Sequence, residues 1–118
     1  MNIVIVGAGV VGANLAQELA AEAQNIALVD DDPARLEDIG NRIDCLTVLG
    51  NGSSPSILQR AGIAKADMVI AVTSDDTANI VVCVLAAHYG VRYKLARVRN
   101  SDYRNLTELR SVRVPKGA

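Results

Sequence analysis

The chain has 118 residues, a length typical of one domain, and half of its residues are hydrophobic. Aromatic residues make up only 3%, so the core must be built from Val, Ile, Leu and Ala, and no aromatic surface is expected for stacking single-stranded nucleic acid. Twelve basic and thirteen acidic residues give a net charge of −1, which excludes general electrostatic attraction to DNA or to an anionic membrane.

Alternating strand and helix patterns run along the chain. Strands are expected at 2–6, 25–29 (ending at Asp30), 45–49, 68–72 and 93–98. Helices are expected at 11–24, 33–42, a segment ending near 61 with Ser53 or Ser54 as its cap, 77–89 and 101–110. This alternation predicts an α/β fold: a Rossmann-type doubly wound parallel sheet in three layers, α/β/α, with strand order 3-2-1-4-5.

One domain is predicted, with no internal boundary. Residues 1–110 form the expected nucleotide-binding Rossmann domain. Residues 111–118 are too short for another strand–helix unit, so we interpret them as a partial sixth strand or as a tail that is truncated or not native. We favour a fragment of a longer protein.

The first strand runs into Gly7-Ala8-Gly9-Val10-Val11-Gly12, a G-x-G-x-x-G pattern at a strand–helix junction. In such a turn the first glycine permits a tight bend, the second leaves room for a diphosphate, and the third lets the helix pack on the sheet. The helix N-terminus offers free N–H groups to the phosphates. Asp30 follows about 20 residues later, where a carboxylate accepts both ribose hydroxyls, and the combination predicts a nucleotide site.

The acidic end of the second strand narrows the ligand. Asp30 repels a 2′-phosphate, so NADP is disfavoured, but the ribose diol does not distinguish NAD(H) from AMP, ADP or ATP. Asp31 and Asp32 stand where an NADP site would carry arginine. Our preferred interpretation of this pair is an N-cap and a first-turn acid ahead of Pro33.

The ends of the other strands should line the same crevice. Asn51 is a candidate for an adenine edge, and Thr73 and Ser74 for a phosphate or a second ribose; turn and cap chemistry is the equally weighted alternative. Arg97 and Arg99 alternate along the predicted fifth strand, so both guanidinium groups would leave one face. Such a pair needs an anion between its members, either a phosphate or a carboxylate of another subunit.

Catalytic groups are missing from the predicted crevice. The one histidine, His88, is expected to interact with the dipole of the fourth helix, and Cys83 and Cys45 to lie in the core and in a strand. Two widely spaced cysteines without metal-ligand spacing indicate a reducing compartment and no metal site. A cofactor site without acid, base or nucleophile is typical of a sensor, so no enzyme is expected. The alternatives are the cofactor-binding fragment of an NAD-dependent dehydrogenase and an S-adenosylmethionine site.

Four stretches resemble a known family: MNIVIVGAGVVGANLAQEL, ALVDDDPARL, VLGNGSSPSILQRAGIAKADMVIAVTSDDTANIV and ARVRNSDY. They resemble the TrkA N-terminal domain, also called KTN or RCK, over residues 1–105. The resemblance implies a cytosolic regulatory domain at the inner face of the cell membrane. Such a domain binds NAD(H) or an adenine nucleotide, forms homo-oligomers, and gates a membrane-embedded potassium transporter of the Trk type by a ligand-dependent conformational change.

Site residues follow from the resemblance by matching position. It implies that the glycine turn holds the phosphates and Asp30 the ribose, and that Val10 and Val11 replace an arginine of ATP-sensing relatives, which favours NAD(H). Arg35 and residues 51–53 would lie near the adenine, and Arg97 near the phosphates or the partner subunit. The full set of candidate ligand contacts is Gly7, Ala8, Gly9, Val10, Val11, Gly12, Asp30, Asp31, Arg35, Asn51, Gly52, Ser53, Thr73, Ser74 and Arg97.

The predicted fourth helix is apolar around most of its circumference, over residues 80–85. One sheet face buries only one stripe of a helix, so the remainder needs a second cover. A symmetric dimer would supply it. The alternative is coverage by the fifth helix and the tail of the same chain.

Overall fold

The computed structural model describes residues 1–101. The strands are β1 (Asn2–Val6), β2 (Asn25–Asp30), β3 (Leu46–Leu49), β4 (Met68–Ala71) and β5 (Tyr93–Ala96). The helices are α1 (Val10–Ala21), α2 (Pro33–Gly40), α3 (Pro55–Arg60) and α4 (Asp76–His88), with a 3₁₀ turn at Ile63–Lys65 that the sequence did not predict. Apart from Ser101, the predicted fifth helix and the tail lie outside the described residues.

All five strands are parallel, in the order β3-β2-β1-β4-β5, which confirms the predicted doubly wound sheet. The chain begins on the central strand: Ile3 of β1 pairs with Ile26 of β2 on one side and with Met68 of β4 on the other. The connections that follow β1 and β4 lie on opposite faces of the sheet. The carboxyl ends of these two strands therefore border the crevice in which open α/β sheets bind ligands.

Two apolar cores confirm the three layers. On one face Val4 and Val6 of β1 pack with residues of α3 and α4, among them Leu58 and Val82. On the other face Ile3 and Ile5 lie in a core with side chains from α1 and α2. Alternate residues of β1 thus enter opposite cores, and all four are at most 2% exposed. A strand buried on both faces is expected to have a continuous apolar sequence, as residues 3–6 (IVIV) have.

The clearest difference from the predicted boundaries is the end of α1. The helix stops at Ala21 rather than at 24 because Ala23 adopts a left-handed conformation, with φ of +62°. The N–H of Gln24 donates to the carbonyl of Leu19 at 3.1 Å, and that of Ala23 to Ala20 at 3.0 Å, the pair of bonds of a Schellman C-cap. Glycine usually occupies this position, so an alanine gave no stop signal.

None of the helices among residues 1–101 is long and apolar enough to cross a bilayer.

Replacing Ala23 by glycine is expected to stabilise the domain by about 0.5–1 kcal/mol, because the left-handed conformation costs a side chain about 1–2 kcal/mol and glycine almost nothing. Urea unfolding measures the change. Ala21→Gly, two residues earlier within the helix, serves as the matched control and should destabilise by up to about 1 kcal/mol. Equal losses in both variants would contradict the C-cap interpretation.

Candidate functional site

The glycine turn, residues 7–12, lies between β1 and α1 and touches the end of β4. Gly7 has φ of +111°, and its N–H donates to the carbonyl of Val29 at 2.8 Å. A Cβ on Gly7 would lie 2.9 Å from the backbone N of Thr73 and 2.9 Å from the carbonyl carbon of Val72. Both the conformation and the space therefore require glycine here. The turn and the loop after β4 are in direct backbone contact.

The other two glycines of the turn differ in what surrounds them. A Cβ on Gly12 would lie 1.7 Å from the carbonyl oxygen of Gly7, so α1 packs on the turn only because position 12 has no side chain. Gly9 is the N-cap of α1, and a Cβ there would meet no atom within 4 Å. Open space thus lies in front of the helix N-terminus, whose free N–H groups suit a phosphate. This arrangement fits a diphosphate group.

The carboxylate of Asp30, only 7% exposed, joins the glycine turn to the end of β2. Its Oδ2 accepts the N–H of Ala8 at 2.6 Å, and its Oδ1 accepts the N–H of Asp32 at 2.8 Å. The bond to Ala8 was not expected from the sequence. Each carboxylate oxygen has further acceptor capacity, so Asp30 can also accept hydroxyl groups.

Arg35 lies over the two acids at the start of α2. Its Nη1 is 3.8 Å from Oδ2 of Asp30, and its Nε is 3.6 Å from Oδ2 of Asp32. Oδ1 of Asp32 accepts the N–H of Ala34 at 2.9 Å, which confirms the N-cap interpretation for Asp32. Asp31 precedes this N-cap, so the expectation of a first-turn acid was wrong. Asp31 and Arg35 are exposed. The Arg35 side chain is 56% exposed and both contacts are longer than 3.5 Å, so they stabilise the fold little and the guanidinium is free to reorient toward a ligand.

The loop after β3 uses its polar groups internally. Oδ1 of Asn51 accepts the N–H of Ser53 at 2.8 Å. A Cβ on Gly52 would lie 2.2 Å from Cγ1 of Val6, so packing against β1 explains this glycine without a ligand. Ser54 occupies the predicted N-cap position of α3, but its side chain makes no capping bond and its hydroxyl pairs with that of Ser56 at 3.1 Å.

The loop after β4 is organised by Asn79, a completely buried residue of α4. Its Oδ1 accepts the N–H of Thr73 at 2.9 Å and the Thr73 hydroxyl at 2.7 Å. Its Nδ2 donates to the carbonyl of Thr73 at 3.0 Å and to that of Arg97 at 2.9 Å. The sequence analysis did not assign Asn79 a role, although one amide directly before the apolar run of residues 80–87 was an available signal. Ser74 is exposed, and Asp75 is the N-cap of α4.

Arg97 does not behave as the strand pattern predicted. Because β5 ends at Ala96, Arg97 and Arg99 are not alternate residues of a strand with a shared face. The Nη2 of Arg97 instead donates to the carbonyls of Val72 at 3.0 Å and Thr73 at 2.8 Å, while its buried Nε has no hydrogen-bond partner. Its guanidinium therefore stabilises the backbone just after β4 by hydrogen bonds.

Val10 and Val11 begin α1 rather than lying in a loop, and they are 80% and 41% exposed. These two apolar side chains flank the glycine turn at the start of the helix. Neither contributes a positive charge to a bound phosphate.

A groove of about 690 Å³ lies away from the glycine turn, between the end of α1 and the segment that leads into β3. Cys45 lines this groove and precedes β3, which begins at Leu46, so its predicted place in a strand is wrong. Burial, and secondarily the Asp44 carboxylate, raise the pKa of the Cys45 thiol. The thiol therefore remains protonated at neutral pH and is a poor nucleophile. Among residues 1–101 no cluster of metal-ligating side chains is present.

Comparisons with known proteins agree with this geometry. The family described as TrkA-N domain matches residues 3–114. The Trk system potassium uptake protein TrkA of Halomonas elongata is 45% identical over 104 residues, which are 87% of this chain and 23% of that protein. The chain thus spans about a quarter of the length of this relative.

Two solved structures share the fold at lower identity. The NAD(P)-binding domain of an exopolyphosphatase-related protein from Archaeoglobus fulgidus has a TM-score of 0.76 and 18% identity, over 91% of this chain and 80% of that one. The Shewanella denitrificans Kef C-terminal domain in its AMP-bound form has a TM-score of 0.68 and 18% identity. The match covers 80% of this chain and 57% of that one.

The glycine contacts predict opposite outcomes for two alanine substitutions. Gly12→Ala should destabilise the domain by about 3 kcal/mol or more, because its methyl overlaps the Gly7 carbonyl and α1 must move away. Gly9→Ala should cost at most about 1 kcal/mol, the difference between two N-cap residues. Urea unfolding compares them. Similar losses would show that the turn is not packed as described.

Proposed function

The chain belongs to the TrkA-N domain family, and we propose that it is the nucleotide-binding regulatory domain of a Trk-type potassium uptake system. The observation that carries the proposal is the open space at Gly9, in front of the N-terminus of α1 and beside the Asp30 carboxylate. The membrane-embedded potassium transporter is proposed as the partner because the Halomonas relative is named for potassium uptake. We place the domain in the cytoplasm, at the inner face of the membrane.

We propose NAD(H) as the preferred ligand, with AMP, ADP and ATP as the alternatives. The names of the two solved structures, one bound to AMP and one called NAD(P)-binding, support this class. The carboxylates of Asp30 and Asp32 would repel a 2′-phosphate, which disfavours NADP. Val10 and Val11 offer no charge to a third phosphate, which favours NAD(H) over ATP.

The roles proposed for individual residues differ in how much support they have. Gly9 and the first N–H groups of α1 would hold the diphosphate, and Asp30 the ribose hydroxyls. Arg35 and Ser74 are exposed beside the crevice and able to reach a ligand. Gly7, Gly12, Gly52, Thr73 and Arg97 already have packing or backbone bonds that account for them, so a ligand contact is an additional role there.

We propose that the domain binds a nucleotide and catalyses no reaction. The groups around Gly9 are backbone N–H groups and a carboxylate that holds two of them, which bind and orient a nucleotide. A regulatory domain needs no catalytic group. A ligand that binds one conformation more tightly shifts the population of the domain toward that conformation.

We also propose that the domain forms a homodimer through α4. Val82 and Ala86 of this helix are buried against the sheet, whereas Val81 is 37% and Val84 is 62% exposed. Within residues 1–101, apolar side chains thus remain uncovered on the outer side of the helix, as expected for a surface that meets a second copy.

Binding of NADH should depend on Asp30. Two charge-assisted bonds to the ribose contribute about 1.5–3 kcal/mol each, so Asp30→Ala should weaken binding at least about tenfold in isothermal titration. The native domain should bind NADPH more weakly than NADH. Because no reaction is proposed, the NADH absorbance at 340 nm should stay constant in the presence of the domain.

Asp38→Ala is the control for this titration, since it removes an exposed aspartate whose carboxylate pairs only with Arg42 among the bonds described. The titration must be run where circular dichroism shows a folded variant, because Asp30→Ala also leaves the N–H groups of Ala8 and Asp32 without their acceptor. Native-like affinity of Asp30→Ala would refute the proposed ribose contact.

The dimer predicts a change of mass on substitution. Val84→Asp should convert a dimer at micromolar concentration into a monomer in sedimentation equilibrium, because a carboxylate would be buried in an apolar contact. Leu46→Asp, which introduces the same charge at an exposed position of β3, should leave the dimer intact. A monomeric native domain would refute this interface.

A further inference from the structure

Residues 97–100, which we name the exit segment, leave β5 along the first turns of α4. The backbone N–H groups of Arg99 and Asn100 donate to the carboxylate of Asp76, at 3.1 Å and 2.8 Å. At the start of the segment, the carbonyl of Arg97 accepts from Nδ2 of the buried Asn79 at 2.9 Å. Two side chains of α4 therefore fix the direction in which the chain leaves the sheet.

The same asparagine holds the loop after β4. Three of the four described bonds of its side chain go to Thr73, at the backbone N–H, the hydroxyl and the carbonyl. The guanidinium of Arg97 adds a second connection, since it donates to the carbonyls of Val72 and Thr73. The loop and the exit segment thus cannot separate without breaking several partly buried hydrogen bonds.

The loop after β4 in turn abuts the glycine turn. The close approach of Gly7 to the backbone N of Thr73 leaves no space for a methyl group between them. A continuous set of contacts therefore runs from Gly7 through Thr73 and Asn79 to the exit segment. From Gly7 to Arg97 this set consists of backbone groups and the fully buried side chain of Asn79, so a movement at one end is transmitted with little local relaxation.

We propose that Asn79 and Asp76 are positioning residues that couple nucleotide binding at the glycine turn to the order of the exit segment. The inference rests on the proposed nucleotide binding. A ligand held at Gly9 restrains the turn and, through the contact of Gly7 with Thr73, suppresses the openings in which the bonds of Asn79 break. The exit segment becomes more ordered as a result, with no requirement for a large displacement.

Hydrogen exchange followed by NMR tests the coupling on the whole 118-residue chain. Saturating NADH, or AMP if it binds more tightly, should slow exchange of the Arg99 and Asn100 amides and of the Asn79 side-chain amide by about fivefold or more. These groups lie outside the glycine turn. Unchanged exchange at all three in a chain that binds nucleotide would refute the proposal.

Two variants of matched charge separate coupling from a merely structural tether. Asp76→Asn loses acceptor capacity for the exit segment, whereas Asp75→Asn removes the same charge one residue earlier and keeps an equally good N-cap. By linkage, Asp76→Asn should weaken nucleotide binding about fivefold and abolish the nucleotide effect on exchange, and Asp75→Asn should change neither.

The outcomes are distinct from those for the proposed function. A purely structural Asp76 predicts faster exchange of the two amides but native affinity, which would refute the coupling and leave nucleotide binding intact. No calorimetric signal with either nucleotide would refute both proposals together. Asn79→Ala is avoided as the primary variant because it leaves the bonding groups of Thr73 and Arg97 unsatisfied in the core and threatens folding.

Discussion

The position of α1 depends on one contact, in which the backbone of Gly12 lies against the carbonyl of Gly7. This contact sets the distance between helix and sheet and the direction in which the helix N-terminus points. The N–H of Ala8 is then held from the other side by Asp30, so the turn is fixed by β2 as well as by its own helix. Space for a ligand remains at Gly9 because the close contacts of the turn are made by Gly7 and Gly12.

Side chains around the crevice act mainly on the backbone. Asp30 accepts two main-chain N–H groups, Asn79 binds main-chain groups on both Thr73 and Arg97, and Arg97 donates to two carbonyls. These bonds join the turn after β1 to the loop after β2, and the loop after β4 to the segment after β5. A ligand would consequently meet amide groups whose directions are already set, which reduces the entropy lost on binding.

The sequence predicted the fold more completely than the site. The strand order follows from the alternation of strand and helix patterns, which runs along the whole sheet. The glycine turn follows from the spacing of its glycines at a strand–helix junction. The end of α1 was missed because an alanine, Ala23, adopts a conformation for which glycine is the usual signal. In the site, the strand alternation expected for Arg97 was wrong. Its guanidinium partners are the carbonyls of Val72 and Thr73 in the loop after β4, and a sequence pattern does not show bonds to distant carbonyls. The packing role of Gly52 was missed because its neighbour is Val6, a contact that only the folded sheet creates.

The central place of β1 has a consequence for synthesis on the ribosome. Residues 2–6 are made before the other strands of the sheet, and their second neighbour, β4, is complete only at Ala71. At about 5–20 residues per second, β1 therefore waits several seconds with one hydrogen-bonding edge unpaired. This apolar strand is a natural binding site for chaperones during that interval, and translation pauses before residue 71 should promote aggregation of the nascent chain.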